Sequence, residues 1–452
     1  MMKKINLFIL IFIVLISGFS NIWAQESEQT TSLPKSYSLD DLYRMALKRS
    51  DKIKISNEDL YIAEQTKKKA LSVLVPRFSA FGNYTRYSEE KTAPDKVTPI
   101  QPESTTAWGV RFDQSFTLNG KELIALEITK DSIKKSEYDL NAVKEAYLFT
   151  VASAYYNILK TAKAVDIAKA NVERLETHKN AVTVQLNIEA ATKTDLFRAQ
   201  AELSKSRTEL INATNGLKLA RIVLSRVVGL EGNFEIKKPE LNKSFSLGND
   251  MDSLKKEALL DRAELKSLAV QKKISEDMVK FSKSAYWPTV SVEGVYQKYD
   301  QDPDYFLVND ESISLGVMLN FTIFDGGLRR AEIKESIAKM KQAELAEKDL
   351  SKDIATEVED AYLFWLTQMS VLNSLEDQVK FANSNYDAVS KQFKYGFANS
   401  VDVVDANTLL VTSETELSEA IYNGQLAGLG VERAKGTFLK TITDRLETKT
   451  ER

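Results

Sequence analysis

Two aspartates one helical turn apart, Asp402 and Asp405, are the residues of this 452-residue chain whose types and spacing could do chemistry. They lie in the stretch KYGFANSVDVVDAN, residues 394–407. There Gly396 is suited to end one helix, and Asn399 or Ser400 to cap the next. Two carboxylates on one helix face attract cations and repel each other. Asp402 also suits the positive end of a helix that begins beside it. A plain solvated turn, with Asp402 as a helix-start acid and Asp405 in water, is the simpler alternative.

Other reactive groups are scarce. Cysteine is absent and His178 is the single histidine, which leaves no disulfide, no thiolate metal site and no Ser-His-Asp set. His178 sits in the polar run THKNA and is expected to be an ordinary surface residue. No cofactor and no metal are expected, and an envelope enzyme is the weakest reading. The formal charge of −3 offers no basic surface for nucleic acid.

The elements that must position these residues are of two kinds. Residues 121–215 and 328–395 contain neither glycine nor proline, as very long helices require. In the second run Leu350, Ile354, Val358, Ala361, Trp365, Met369, Leu372, Leu375, Val379, Ala382, Tyr386, Val389 and Phe393 advance by threes and fours. That pattern is a coiled-coil-like seam, and some 65 helical residues extend about 100 Å.

Elsewhere the period changes to two. Ile313, Leu315, Val317, Leu319, Phe321 and Ile323 alternate with Ser314, Gly316, Met318, Asn320 and Thr322; Trp108, Val110, Phe112, Phe116 and Leu118 alternate with Gly109, Arg111, Asp113, Ser115 and Thr117, with Gln114 the one lapse. Both segments read as strands with one apolar and one wet face. Residues 77–87 and 289–299, after Val75-Pro76 and Trp287-Pro288, are their hairpin partners. An 11-residue strand is about 36 Å long at most and, tilted, covers the apolar band of an outer-membrane barrel, about 25 Å.

The ends set the compartment. Residues 1–24, with two lysines and an apolar run from Leu7 to Ile16, read as a secretory signal peptide. No other segment approaches the roughly 18 apolar residues of a spanning helix, so any further membrane insertion must use strands. The order helix, hairpin, long helix, tip, helix occurs twice. Asp51 to Lys54 matches Ala263 to Lys266, and Thr194 to Ala199 matches Val401 to Ala406. Two hairpins per chain cannot close a barrel alone, because the smallest bacterial barrels have about eight strands. Open edges in lipid leave backbone groups unpaired at several kcal/mol each. The protein is therefore expected to oligomerise, as a dimer or a trimer.

This organisation resembles the TolC-like outer-membrane efflux protein family over residues 37–439. The resemblance rests on Val75-Pro76-Arg77-Phe78 and Trp287-Pro288-Thr289-Val290, on the turn from Phe321 to Gly327, on paired Ala-Tyr dipeptides, and on Tyr395-Gly396 followed by Val401 to Ala406. It implies an α+β membrane protein with four transmembrane strands and long coiled-coil helices per protomer. Three copies would close a 12-stranded β-barrel in the outer membrane, continued by a periplasmic α-helical barrel. The implied domains are a signal peptide 1–24, a tail 25–36, a first repeat 37–228 with hairpin 77–118 and tip 187–195, and an equatorial linker 229–250. A second repeat 251–440 follows, with hairpin 289–324 and tip 394–407, and then a polar C-terminal tail 441–452.

The resemblance further implies an exit duct of a tripartite efflux or type I secretion system. Its partners would be its own copies in a homotrimer, outer-membrane lipid, a periplasmic adaptor and an inner-membrane pump of the RND, ABC or MFS type. Asp402 and Asp405, with Asp195 on the neighbouring hairpin, would line the periplasmic entrance. Gly396, Phe397 and Ala190 would form the adaptor-docking tip, Arg111 and Asp113 would face the barrel lumen, and the alternating set from Ile313 to Ile323 would face lipid. Two features depart from the family pattern. Ala398 stands where an arginine is expected after the tip glycine, and the first tip lacks its glycine. The rival reading is an exported coiled-coil filament or adhesin without a channel.

Overall fold

The computed structural model describes residues 35–94, 99–239, 250–302 and 310–448. The signal peptide, residues 25–34 of the tail, parts of both strand connections, the centre of the equatorial linker and the last four residues lie outside the described residues. Contacts divide the described residues into a small unit, residues 35–36 with 233–235, and a large unit holding the other described residues. The small unit contributes to a short ribbon in which Lys35–Tyr37 pairs with Phe234–Ile236.

The large unit holds the long helices and a four-stranded sheet. Helices α1 (Leu39–Arg49) and α2 (Asp51–Ser72) lead into strands β1 (Arg77–Arg86) and β2 (Ser104–Thr117). Helices α3 (Lys121–Asn187) and α4 (Lys193–Val228) follow. The sequence then repeats the order with α5 (Met251–Asp261), α6 (Ala263–Lys283), β3 (Thr289–Asp302), β4 (Glu311–Asn320), α7 (Leu328–Lys394) and α8 (Ser400–Ala434). A last helix, α9, spans Phe438–Thr448.

Helices α3 and α7 are each 67 residues long, about 100 Å at the α-helical rise. The expected seam holds along α7. Ile354, Val358, Trp365, Ala382 and Phe393 are buried, and every other seam position is half-buried. Near its start the seam packs on Leu254 and Ala258 of α5 and on Ala434; further on it packs on Ala427 and Val431 of α8. Each large side chain taken fully out of water contributes about 1.5–3 kcal/mol. The seam therefore holds the hairpin together where helix propensity alone would not.

Residues 441–452, expected as a polar tail, are helical as far as Thr448. Phe438, Ile442 and Leu446 recur every fourth residue and are buried on one face. Phe438 meets Tyr43 and Phe149 edge-on, with centroids 6.3 and 6.0 Å apart. The polar residues that fill most of this helix concealed the stripe.

The sheet is antiparallel in the order β1-β2-β3-β4. Opposed residues share a face. One face carries the rows Ala80, Val110, Tyr296, Ile313 and Phe78, Phe112, Gly294, Leu315, then Phe116, Val290, Leu319. The other carries Ser79, Arg111, Val295, Ser314 and Arg77, Asp113, Glu293, Gly316. Ile313, Leu315, Val317 and Leu319 are exposed in the single chain, Ile313 at 83%. Strands β1 and β4 are the two edges, unpaired on their outer sides among the described residues. No described helix is long and apolar enough to cross a membrane.

Phe321 and Ile323, expected in the lipid-facing strand, fall outside it. Strand β4 ends at Asn320, whose partner Thr289 follows Pro288, a residue with no N–H to extend the ladder. The Pro288 carbonyl instead accepts the Leu118 N–H. Beyond Asn320 the chain is held by the helix start. The Asp325 carboxylate accepts the N–H groups of Gly327 and Arg329 and the Arg329 Nε at 2.6 Å. Arg329 in turn donates to the Ile323 carbonyl.

Candidate functional site at the hairpin tips

Each long helix ends in a tip where the chain reverses, at residues 188–192 and 395–399. Both tips turn in the same way. At the first, the Glu189 N–H donates to the Leu186 carbonyl at 3.1 Å and the Ala190 N–H to the Gln185 carbonyl at 2.8 Å. At the second, Gly396 donates to Phe393 at 3.1 Å and Phe397 to Gln392 at 2.9 Å. These bonds satisfy carbonyls that a helix end would otherwise leave open. The reversal needs a left-handed residue, which is Gly396 at φ 79° in one tip and Glu189 at φ 60° in the other. The missing glycine of the first tip thus changes the residue and leaves the turn intact.

The returning helices start on matching caps. Thr192 Oγ1 accepts the Asp195 N–H at 3.2 Å, while the Asp195 carboxylate accepts the Thr192 N–H at 3.0 Å and its hydroxyl at 2.7 Å. Asn399 Oδ1 accepts the Asp402 N–H at 3.0 Å, and the Asp402 carboxylate accepts the Asn399 N–H at 2.9 Å. Such reciprocal pairs satisfy two open donors at once. The Thr192 hydrogen bonds hold the Asp195 carboxyl below the usual carboxylate range.

The three acids therefore differ in use. Asp195 and Asp402 cap helices on separate hairpins, and no bond joins them among the described residues. Asp405 is exposed and makes no ion pair or hydrogen bond among the described residues. Gly396 and Ala190 are exposed at their tips, and Phe397 is 83% exposed. Ala398 packs partly buried against the cluster of Val182, Ala199, Phe393 and Val403.

That cluster joins the two hairpins, and a polar seam continues it. His178, expected at the surface, is only 5% exposed. Its Nε2 lies 2.9 Å from Ser400 Oγ, and its ring packs 4.9 Å from that of Phe393. Gln185 Nε2 donates to the Phe393 carbonyl at 2.6 Å. Further from the tips, Asn407 Nδ2 donates to Asn171 Oδ1 at 2.7 Å, and Arg174 reaches both Asn407 and Glu414. Asn171, His178 and Gln185 stand at heptad spacing, as do Ser400, Asn407 and Glu414. Polar side chains at a coiled-coil seam position fix register. The heptad spacing was visible in the sequence, but the polar character of these residues disguised them as a solvated face.

In the sheet, Arg111 and Asp113 lie on the polar face. Arg111 Nε is 3.7 Å from Glu293 Oε1, and its guanidinium lies 5.7 Å from the Phe81 ring centre. Asp113 stands in register between Arg77 and Glu293. On the apolar face Trp108 and Tyr296 pack edge-on at 6.1 Å, with Tyr84 in the same set. Tyr299, opposite Ala107, falls on the polar face.

Comparison with known proteins agrees with this architecture. The sequence pattern described as outer membrane efflux protein matches residues 42–230 and 254–437. The outer membrane protein TolC of Escherichia coli K12 is 23% identical over 426 residues, covering 90% of this chain and 84% of that protein. A membrane protein from Pseudomonas aeruginosa superposes with a TM-score of 0.79 at 17% identity, covering 89% of this chain and 91% of the other. The CmeC outer membrane channel of Campylobacter jejuni gives 0.77 at 15% identity, covering 90% and 89%. The fold is the TolC-like one, whose barrel closes only between copies of the chain. The chain belongs to the outer membrane efflux protein family and is an outer-membrane channel, not an enzyme.

Proposed function

We propose that three copies close edge to edge, β4 of one against β1 of the next, into a 12-stranded barrel continued by a tunnel of helices. The carrying observation is the sheet itself, with one apolar face, one polar face and two edges unpaired among the described residues. In lipid those edges must be paired. The protein then conducts substrates passively as the exit duct of a tripartite efflux or type I secretion system. A periplasmic adaptor docks on the tips at Gly396, Phe397 and Ala190, and an inner-membrane pump supplies the energy.

At the entrance, three copies of Asp402 and Asp405 bring six carboxylates near the axis, with Asp195 on the flanking hairpins. Such a ring favours cations and opposes a tightly closed state. The support for this reading is the exposure of both acids on the helix that starts at the second tip. In planar bilayers, replacing Asp402 and Asp405 together by asparagine is expected to weaken cation preference and block by multivalent cations. Unchanged selectivity in that double variant would remove both from the role. Crosslinking at the tips in actively exporting cells is expected to capture the adaptor. The filament reading is favoured instead if no adaptor is captured there.

A further inference from the structure

His178 is the single histidine of the chain, and it lies between the two helical hairpins close to their tips. We propose that His178 couples the two tips to proton concentration, so that charging its ring parts the α7–α8 hairpin from the α3–α4 hairpin. This rests on the reading of the tips as the channel entrance.

The geometry around the ring is unequal to a positive charge. Phe393, which is packed in one apolar cluster with Val182, Ala199 and Val403, lies 4.9 Å from it ring to ring, and Ser400 Oγ at 2.9 Å is its hydrogen-bond partner on α8. Ser400 is the first residue of α8, and a helix start carries the positive end of the helix dipole. A neutral imidazole satisfies this place with one hydrogen bond. An imidazolium meets a buried apolar wall and a like-signed helix end.

The ionised groups around it do not reverse that balance. On α4, Asp195 attracts the charged form, but its carboxylate is tied to Thr192. On α8, Asp402 is bound in the cap with Asn399. On α7 the contact is the Phe393 ring, and on its own helix Arg174 is committed to Asn407 and Glu414. Burial prevails over Asp195 and holds the imidazole below the ordinary histidine range. A buried histidine of lowered basicity binds its proton more readily once exposed. The contact is thus intact above the ordinary value and is lost as pH falls below it. For every tenfold by which burial weakens the imidazole as a base, full protonation changes the ratio of parted to joined hairpins by about tenfold.

The test uses the full-length channel in planar bilayers, taken from about pH 8 to about pH 5 across the titration range of histidine. Wild type is expected to gain open-state current on acidification, with a midpoint below about 6.5. His178→Gln keeps a hydrogen-bonding side chain and cannot charge, so its current is expected to stay level over that range. In parallel, spin labels at the exposed Ile188 and Phe397 are expected to move apart on acidification in wild type and not in His178→Gln. An acid response of equal size in His178→Gln would assign the effect to the carboxylates and overturn the proposal, as would a wild type indifferent to pH. A protein that forms no channel at any pH while its labels still separate would instead sink the channel reading and leave the coupling standing.

Discussion

Glu189 and Gly396 occupy the same place in two successive copies of one turn. They are 207 residues apart, both are left-handed, and the residue that follows each donates its N–H to a glutamine carbonyl in the last helical turn, Gln185 or Gln392. The long helices start and end at the same separation, at Lys121 and Leu328 and at Asn187 and Lys394. A left-handed conformation costs an L-residue about 1–2 kcal/mol, which glycine avoids. Glu189→Gly is therefore expected to stabilise the first tip by about 0.5–1 kcal/mol once the added freedom of the unfolded chain is subtracted. Slower hydrogen exchange over residues 185–195, with no change over 392–402, is the measurement that checks it.

The two acids of the second tip should separate by phenotype. Asp402 is half of a helix cap, and removing such a cap costs about 0.5–2 kcal/mol. Asp405 has no bond to lose among the described residues. Asp405→Asn is expected to lower cation preference in bilayers with no change in tip exchange rates, whereas Asp402→Asn should raise those rates as well. Equal exchange in the two variants would mean that the cap contributes little.

The apolar face can be tested by substituting neighbours on one strand. Leu315 lies opposite Gly294 on the apolar face, and Ser314 lies opposite Val295 on the polar face. An arginine facing lipid near mid-bilayer costs about 2–4 kcal/mol per copy. Leu315→Arg is expected to deplete assembled protein from the outer-membrane fraction, and Ser314→Arg to assemble and alter conductance. Phe321 and Ile323, outside the strand, are weaker positions for this test.

Much of this architecture was legible because it is written as periodicity. The α7 seam and the alternation in β2 and β4 each have one dominant period, and one face is buried or apolar over most of the length, Gln114 being the lapse inside the apolar run of β2. What escaped was set by contacts between distant segments. His178 reads as a surface residue in THKNA because its partners, Ser400 and Phe393, lie more than 200 residues away. The strand end at Asn320 depends on Pro288 in another strand's approach and on Arg329 in the next helix, neither of which alters the alternation that continues to Ile323. The first tip itself was legible from the repeat, but not that Glu189 takes the left-handed place that Gly396 holds in the second.

Glu145, on α3, supplies a titration that the channel readings do not use. Its side chain is 5% exposed and Oε1 has no hydrogen-bond partner among the described residues. Burial, reinforced by Glu264 and opposed by Arg262 and Arg433, pushes its carboxyl up to about 7. A carboxyl raised on folding contributes stability that is complete below its unfolded value and is lost as pH rises through the folded one. The window runs from about 4.3, the ordinary glutamate value, to about 7. Across it the cost of ionising Glu145 grows to a few kcal/mol, at roughly 1.4 kcal/mol for each tenfold change in the acid's ionisation constant. Glu145→Gln removes that cost. Denaturant unfolding is expected to find the variant close to wild type at pH 5 and more stable at pH 8, with the slope of stability against pH reduced between them. A variant that instead lost stability at pH 8 would show that the carboxylate is held by Arg262 and Arg433 more strongly than burial opposes it.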